Sequence, residues 1–370
     1  MSHIAIDARI INSSTGRYVE RLLHYLQGVD TVNRYSVLVL EKDKDFFIPT
    51  AKNFHIEVAD FDQYSVAEQL GFKKLLDNLA PDLVHFCMPQ QPVLYKGAKV
   101  TTFHDLTLLN TYNSDKNWLV FHVKQFVGKF VFKSVAKKSM YILTPSEFTK
   151  MALVDFSGIE PEKIIVTPGA ADVFDDKVAS YELPFKQYLL YVGQQPDYKN
   201  LRRMADAHQR LVKKYPDLGL VFVGRLASDT LANKELFESK GYKNIVFTGF
   251  LPDEQRDWLY KHTSAYVFPS LMEGFGLPGL EAMGYGAPVI SSNATCLPEV
   301  YGDAAHYFDP NDTTDMARAI DDILSNESLK KELIIKGYAQ IKKYSWRRMA
   351  EQTHDAYIQA LEATNLPEQL

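Results

Sequence analysis

Two glutamates and a run of glycines between residues 265 and 299 carry the densest chemistry in the chain. Glu273 and Glu281 flank Gly274-Phe275-Gly276-Leu277, and Pro278 follows at a position suited to opening a helix. The backbone N–H groups of Gly274 to Gly276, backed by a helix N-terminus, make an anion site, and a diphosphate fits it. Carboxylates beside a diphosphate are repelled by it. Glu273, at the strand exit, and Glu281, in the first helical turn, are therefore expected to bind hydroxyls, such as those of a ribose or a hexose. Glu281 has a second reading, as a first-turn acid favoured by the helix dipole. Lys199 stands at another helix mouth, where its ammonium suits a phosphate; a solvated surface lysine is the alternative. His104 and Asp105 close a strand ending at 104, so His104 is either a ligand group at a sheet edge or a satisfied buried histidine.

Gly274, Gly276 and Gly279 also fit G-x-G-x-x-G, which on its own would suggest a nicotinamide-dependent oxidoreductase. Three features oppose that. The glycines follow a strand deep in the second half, the next strand ends in Ser291-Ser292-Asn293 without an acid, and two carboxylates flank the loop.

The elements that must hold these residues alternate strand and helix twice along 370 residues. Strands are predicted at 3–8, 35–41, 55–60, 82–88, 99–104, 141–145 and 163–167, then at 187–193, 218–224, 244–249, 265–269, 288–292 and 305–308. Helices are predicted at 17–27, 64–79, 114–138 and 147–156, then at 199–214, 228–240, 253–261, 278–285 and 312–342, with a break near Ser325. Short uninterrupted apolar strands such as Tyr188–Val192 and Val221–Val223 argue for parallel sheets covered on both faces. The polar stretch 168–186, with Pro168, Gly169, Asp175, Asp176 and Pro184, reads as a linker. The expected organisation is an α/β protein of two Rossmann-like domains, 1–170 and 171–345, with helix 346–364 free to pack on either. Ligands bind at the carboxyl edges of such sheets, so facing edges would put the site in a cleft.

Composition narrows the classes. Hydrophobic residues make up 46% and charged residues 24%, with a net charge of -5, which does not favour nucleic acid as a partner. Cys87 and Cys296 lack metal-type spacing and a disulfide framework, which fits a reducing cytosol. Met1–Asp7 reads as a first strand, not as a signal peptide, and no run of about 18 apolar residues occurs.

The segment Glu273-Gly-Phe-Gly-Leu-Pro-x-Leu-Glu281-Ala-Met, continued by Gly286-x-Pro288-Val-Ile-x-Ser292, resembles the signature of retaining glycosyltransferases of family four, which have the GT-B fold. The match extends through Leu297-Pro298-Glu299-Val300 to Gly302-Asp303-Ala304-Ala305. The resemblance implies that Glu273 contacts the donor sugar and Glu281 the ribose. The amides of Phe275 and Gly276, with Gly274 and Leu277 beside them, would hold sugar and phosphate. Tyr191-Val192-Gly193 through Lys199-Asn200-Leu201 is similar to the family's strand-loop-helix in which a lysine meets the diphosphate. Gln194 stands where the family often has an arginine, leaving Arg225 or Arg202 as substitutes. Val246–Leu251 is similar to the strand-turn beside the nucleotide base, with Phe250 and Leu251 at its end. Ser13-Ser14-Thr15-Gly16-Arg17-Tyr18 resembles the family's glycine loop facing donor and acceptor, with a plain βα turn as the alternative for Gly16. His104 matches a family histidine near the donor sugar, and Thr144–Phe148 a strand-to-helix entry with Ser146 as N-cap. Helix 346–364 would cross back to the N-terminal domain. Ser-Thr-Gly-x-Tyr and His104-Asp-Leu-Thr most resemble the mannosyltransferase branch that builds O-antigen polysaccharides, which implies GDP-mannose.

The implied reaction is metal-independent, cytoplasmic hexosyl transfer from a nucleotide-sugar to a glycan or lipid-linked acceptor in polysaccharide or lipopolysaccharide biosynthesis. Catalytic roles fall on Glu273, His104 and Lys199, and no cofactor is needed. Helix 114–138 carries Lys116, Lys124, Lys129, Lys133, Lys137 and Lys138 among aromatic residues. It reads either as a peripheral contact with anionic lipid at the inner face of a membrane or as a half-buried domain helix. Competing functions are the oxidoreductase above, a non-catalytic sugar-nucleotide binder, and a GT-B phosphorylase or sugar-nucleotide epimerase.

Overall fold

Strands this short pair where both faces are covered, and here the central strands of each sheet are buried while the edge strands are partly exposed. The computed structural model describes residues 1–13, 15–107, 118–172 and 178–365. Ser14, the start of expected helix 114–138 with Lys116, and Asp175 and Asp176 of the expected linker lie outside the described residues, as does the side chain of Lys124. The chain divides into two compact units, Met1–Gly169 with Ser345–Leu370, and Ala170–Tyr344.

In the first unit, β1 (His3–Asp7), β2 (Arg34–Val39), β3 (Phe54–Val58), β4 (Leu83–Phe86), β5 (Lys99–Thr102), β6 (Tyr141–Thr144) and β7 (Ile164–Val166) form a parallel sheet. Its order is β3-β2-β1-β4-β5-β6-β7. In the second unit, β8 (Gln187–Val192), β9 (Leu218–Val223), β10 (Ile245–Gly249), β11 (Ala265–Phe268), β12 (Val289–Ser292) and β13 (Ala305–Phe308) pair in the order β10-β9-β8-β11-β12-β13, again parallel. Both orders are Rossmann orders, with the chain reversing its direction of growth between β1 and β4 and between β8 and β11. In such sheets the loops leaving the two strands at the reversal open a crevice at their carboxyl ends.

The helices follow their local signals. Helix α1 (Gly16–Val29) leaves the loop after β1. Helix α2 (Lys73–Leu79) is preceded by a π-helical stretch, Glu68–Phe72. Helix α3 (Trp118–Lys138) precedes β6. Helix α4 (Glu147–Ser157) starts at Ser146, whose Oγ accepts the Thr149 N–H as expected of an N-cap. In the second unit come α5 (Leu201–Leu211), α6 (Ser228–Ser239), α7 (Asp253–His262), α8 (Leu277–Gly284) and α9 (Leu297–Tyr301). The expected break near Ser325 falls at Asn326, which ends α10 (Thr313–Ser325) and caps α11 (Glu327–Ile341).

Helix α12 (Trp346–Asn365) returns to the first unit and packs along α1. Its Tyr357 hydroxyl bonds Nδ1 of buried His85 at 2.6 Å, and its His354 Nε2 lies 3.1 Å from Asp30. Among the described residues no helix is long and apolar enough to cross a membrane.

Candidate active site

The crevice of the second unit is bounded by the loop after β8 and the loop after β11, and the sequence places Lys199 on one and Glu273 on the other. The two loops are stitched together by backbone groups. Leu271 N–H donates to the Tyr198 carbonyl at 2.8 Å, and Asn200 Nδ2 donates to the carbonyls of Pro269 and Pro310. Asn200 can turn back in this way because its own φ is 62°, in the left-handed region that asparagine tolerates. That turn also corrects the expected helix 199–214. Lys199 ends a 3-10 turn (Asp197–Lys199), and the α-helix starts only after Asn200.

Lys199 Nζ meets Glu273 Oε1 at 2.5 Å, and the two side chains are 15% and 13% exposed. The surface-lysine reading therefore fails. Burial works against the Lys199 charge, but the Glu273 carboxylate overrides it and lifts the amine well above its usual range. Glu273 is held from behind, its N–H donating to Thr295 Oγ1 at 3.2 Å and its carbonyl accepting from Cys296 Sγ.

Beyond Glu273 the chain turns through Gly274 and Phe275 into Gly276, whose φ of 95° only glycine adopts without strain. A Cβ there would stand 2.5 Å from the Tyr301 hydroxyl, which donates to the Gly276 carbonyl at 2.5 Å. Tyr301 belongs to α9, a short helix formed by the Leu297-Pro298-Glu299-Val300 motif. The Phe275 ring packs edge-on against Tyr344, and the amides of Phe275 and Gly276 find no acceptor among the described residues. Two unmet N–H groups ahead of α8 are what an anion would satisfy.

Glu281 was expected in the first turn of this helix. The helix opens at Leu277 with Pro278 second, so its first turn holds no acid and Glu281 lies just beyond it. The dipole reading of Glu281 falls with it, since that effect fades beyond the first turn. Gly279 serves packing, because a Cβ there would stand 2.3 Å from Tyr301. The G-x-G-x-x-G pattern is thus explained by the Gly276 turn and the α8–α9 contact.

Arg225, Phe250 and Leu251 come together at the carboxyl ends of β9 and β10. The Arg225 guanidinium lies 6.0 Å from the centre of the Phe250 ring, which is 70% exposed, while Leu251 is buried. Of the two substitute cations, Arg202 is engaged, with Nε on Asn233 and a terminal nitrogen 3.5 Å from Asp197. Arg225 makes no ion pair among the described residues.

In the first unit, His104 follows β5. Its Nε2 must be the donor to the Cys87 carbonyl (2.9 Å), since a carbonyl only accepts. Burial lowers its pKa, which favours the neutral ring, with Nδ1 left as an acceptor that has no partner among the described residues. Tyr18 packs edge-on against it at 4.8 Å, linking it to α1. Gly16 opens that helix. A Cβ there would sit 1.9 Å from the Ile11 carbonyl, so the chain's own turn demands the glycine. Beside this loop lies an ion cluster with no local sequence signature, in which buried Arg9 binds Asp7 at 2.8 Å and Glu68 at 2.9 Å. In α3, Phe132, Val135 and Ala136 are buried while Lys129, Phe130, Lys133 and Lys137 are exposed, the pattern of a half-buried domain helix.

Comparisons with known proteins bear on the family of the chain. The model of a family described as glycosyl transferases group 1 matches residues 174–340, which include Lys199 and the whole loop from Glu273 to Glu281. The O-antigen chain mannosyltransferase B of Escherichia coli is 33% identical over 276 residues, 70% of this chain and 69% of that protein. The serotype-specific mannosyltransferase WbdA of Escherichia coli is 27% identical over 391 residues, 97% of this chain, but the chain spans only 46% of its length. Among solved structures, sucrose-phosphate synthase from Thermosynechococcus elongatus shares the two-unit GT-B fold, with a TM-score of 0.78 at 17% identity over 98% of this chain and 100% of that one. A family model matching residues 174–340, and a relative a third identical along most of both chains, lead to one family: the protein belongs to the group 1 glycosyltransferases and is a hexosyltransferase.

Proposed function

We propose that the protein moves mannose from GDP-mannose to a hydroxyl of a glycan or lipid-linked acceptor, with retention of anomeric configuration and without a metal ion. The observation that carries this reading is the crevice of the second unit, where Lys199, the unmet amides of Phe275 and Gly276, and Glu273 converge. In the reaction the bond from the hexose C1 to the diphosphate oxygen breaks, a bond from C1 to the acceptor oxygen forms, and the acceptor's proton leaves with the diphosphate. Negative charge grows on the diphosphate, and Lys199 with the two amides meets it, which is the largest kind of catalytic term available. That cation does the work a metal would otherwise do. Glu273 takes hexose hydroxyls, Glu281 the ribose, and Phe250 with Leu251 and Arg225 the nucleotide end.

Mannose is favoured because the O-antigen chain mannosyltransferase B and the serotype-specific mannosyltransferase WbdA, which align over 70% and 97% of this chain, are named for that transfer. The natural setting is the cytoplasmic side of a membrane, where the free thiols of Cys87 and Cys296 stay reduced. Exposed Lys129, Lys133 and Lys137 around Phe130 suit peripheral contact with anionic lipid. Replacing the three lysines by glutamine should abolish binding to phosphatidylglycerol vesicles, and unchanged binding removes the membrane role.

Titrating GDP, UDP, TDP and ADP by calorimetry, with and without EDTA, tests the donor. GDP preference indifferent to EDTA is the expected result. Preference for another nucleotide discards the mannose assignment, and EDTA sensitivity discards the metal-free mechanism.

A further inference from the structure

The contact between Lys199 and Glu273 has a consequence that neither residue's donor role contains. In this crevice the diphosphate's cation is paired with a carboxylate 2.5 Å away, on a different loop 74 positions along the chain. Both side chains are largely shielded, at 15% and 13% exposure, so neither charge is free to be hydrated alone. The Lys199 amine also lies 5.3 Å from the Phe268 ring centre, and aromatic and apolar walls of this kind raise the cost of parting the pair. A diphosphate that takes Lys199 competes with the Glu273 carboxylate for one positive charge and is repelled by it, so its binding weakens the pair.

We propose that Glu273 is an internal competitor for the nucleoside diphosphate and drives its release after transfer. The proposal rests on the reading of Lys199 as the diphosphate cation. With the intact nucleotide-sugar bound, the hexose offers Glu273 new hydroxyl donors, so the weakening of its pair with Lys199 is compensated. Once the hexose has left, the carboxylate faces a leaving diphosphate with no donors to bind. It then regains stability only by returning to Lys199, which loosens the product. Glu273 so discriminates donor from product by what each leaves for a carboxylate to do. Thr295 and Cys296 fix the backbone of Glu273 from behind, so that the side chain can swing between two partners while the loop stays in place.

The test compares binding of GDP and of GDP-mannose, without acceptor, by wild type and by Glu273→Gln, which keeps the shape and removes the charge. The variant should bind GDP about tenfold more tightly, which is about 1.4 kcal/mol, and GDP-mannose no more tightly than wild type does. Most of the gain should appear as slower GDP dissociation in stopped flow, since affinity changes at one site fall mainly on the off-rate. In a Lys199→Met background the same substitution should tighten GDP clearly less, because only the direct repulsion between carboxylate and diphosphate is then relieved. A gain of affinity is not something a damaged fold produces. Should Glu273→Gln fail to fold by circular dichroism, Glu273→Asp, too short to reach Lys199 well, should show a smaller gain in the same direction. GDP affinity unchanged or weakened in a folded variant overturns the proposal while leaving the donor assignment standing. If wild type binds no nucleoside diphosphate, the donor assignment itself fails and the proposal falls with it.

Discussion

Replacing Gly276 by alanine probes the turn on which the anion site depends. The residue sits at φ 95° and ψ 41°, and an L side chain held in a left-handed conformation costs about 1–2 kcal/mol. The added Cβ also meets the Tyr301 hydroxyl at 2.5 Å and Leu297 Cδ2 at 2.7 Å, neither of which is the loose end of a surface chain, since both residues are fully buried. Overpacking of this kind costs about 1–3 kcal/mol. Moving Tyr301 aside would strain or break its hydrogen bond to the Gly276 carbonyl, and a buried group left unpaired adds about 1–3 kcal/mol. These terms overlap, so the expected loss is about 3–5 kcal/mol, seen as a fall on the order of 10 °C in the melting of the second unit. Scanning calorimetry reads the melting, and nucleotide titration reads whether the amides of Phe275 and Gly276 still face an anion. Tyr301→Phe removes the atom nearest the new methyl. In that background Gly276→Ala should cost less, by at least about 0.5 kcal/mol. A drop of less than about 2 °C with unchanged nucleotide binding would refute the argument, as would strict additivity of the two substitutions.

The other expectations follow from charge and burial. Lys199→Met should weaken nucleoside diphosphate binding by about 1.5–3 kcal/mol, the worth of a bond to a charged group, whereas Arg202→Ala, already engaged by Asp197 and Asn233, should change it little. Equal losses in the two variants would reject the assignment of Lys199. Burial pushes His85 down to about 3 and His208 down to about 4, while the unfolded chain takes up these protons near pH 6.5. Stability should be complete above pH 6.5 and fall as the pH drops toward about 4, by about 1.4 kcal/mol per pH unit for each histidine. Urea midpoints measured from pH 8 to pH 4 check this, and a His85→Gln variant with an undiminished slope would contradict it. Arg9→Met leaves Asp7 and Glu68 as unpaired buried carboxylates and should destabilise the first unit by about 3–5 kcal/mol, so a near-wild-type melting curve would count against the cluster's role.

The strands were legible because a parallel strand buried on both faces is a short unbroken apolar run, and β8, β9 and β11 are such runs. The anion loop was legible for a local reason too, since glycines, a proline and a strand exit within a dozen residues describe one turn. Contacts made across the fold left no local mark. The pair Lys199–Glu273 spans 74 positions, and the Arg9–Glu68 bond spans 59. The helix start at residue 199 was misread because the cause of the delay is the left-handed Asn200, whose side chain answers to the carbonyls of Pro269 and Pro310 and not to its own neighbours. Glu281 falls one residue deeper than expected, just beyond the first turn, because proline is at home in either of the first two helical positions and the sequence does not say which one Pro278 takes.

The return of α12 to the first unit has a meaning for the order in which the chain can fold as it is made. The second unit is one uninterrupted segment, Ala170–Tyr344, and can close its own sheet as soon as Tyr344 has emerged from the ribosome. The first unit is synthesised earlier but must wait. The face of α1 that meets α12, the buried His85 and the Asp30 carboxylate stay without Tyr357 and His354 until residues 346–365 appear. The half of the molecule that is translated first is therefore the half completed last.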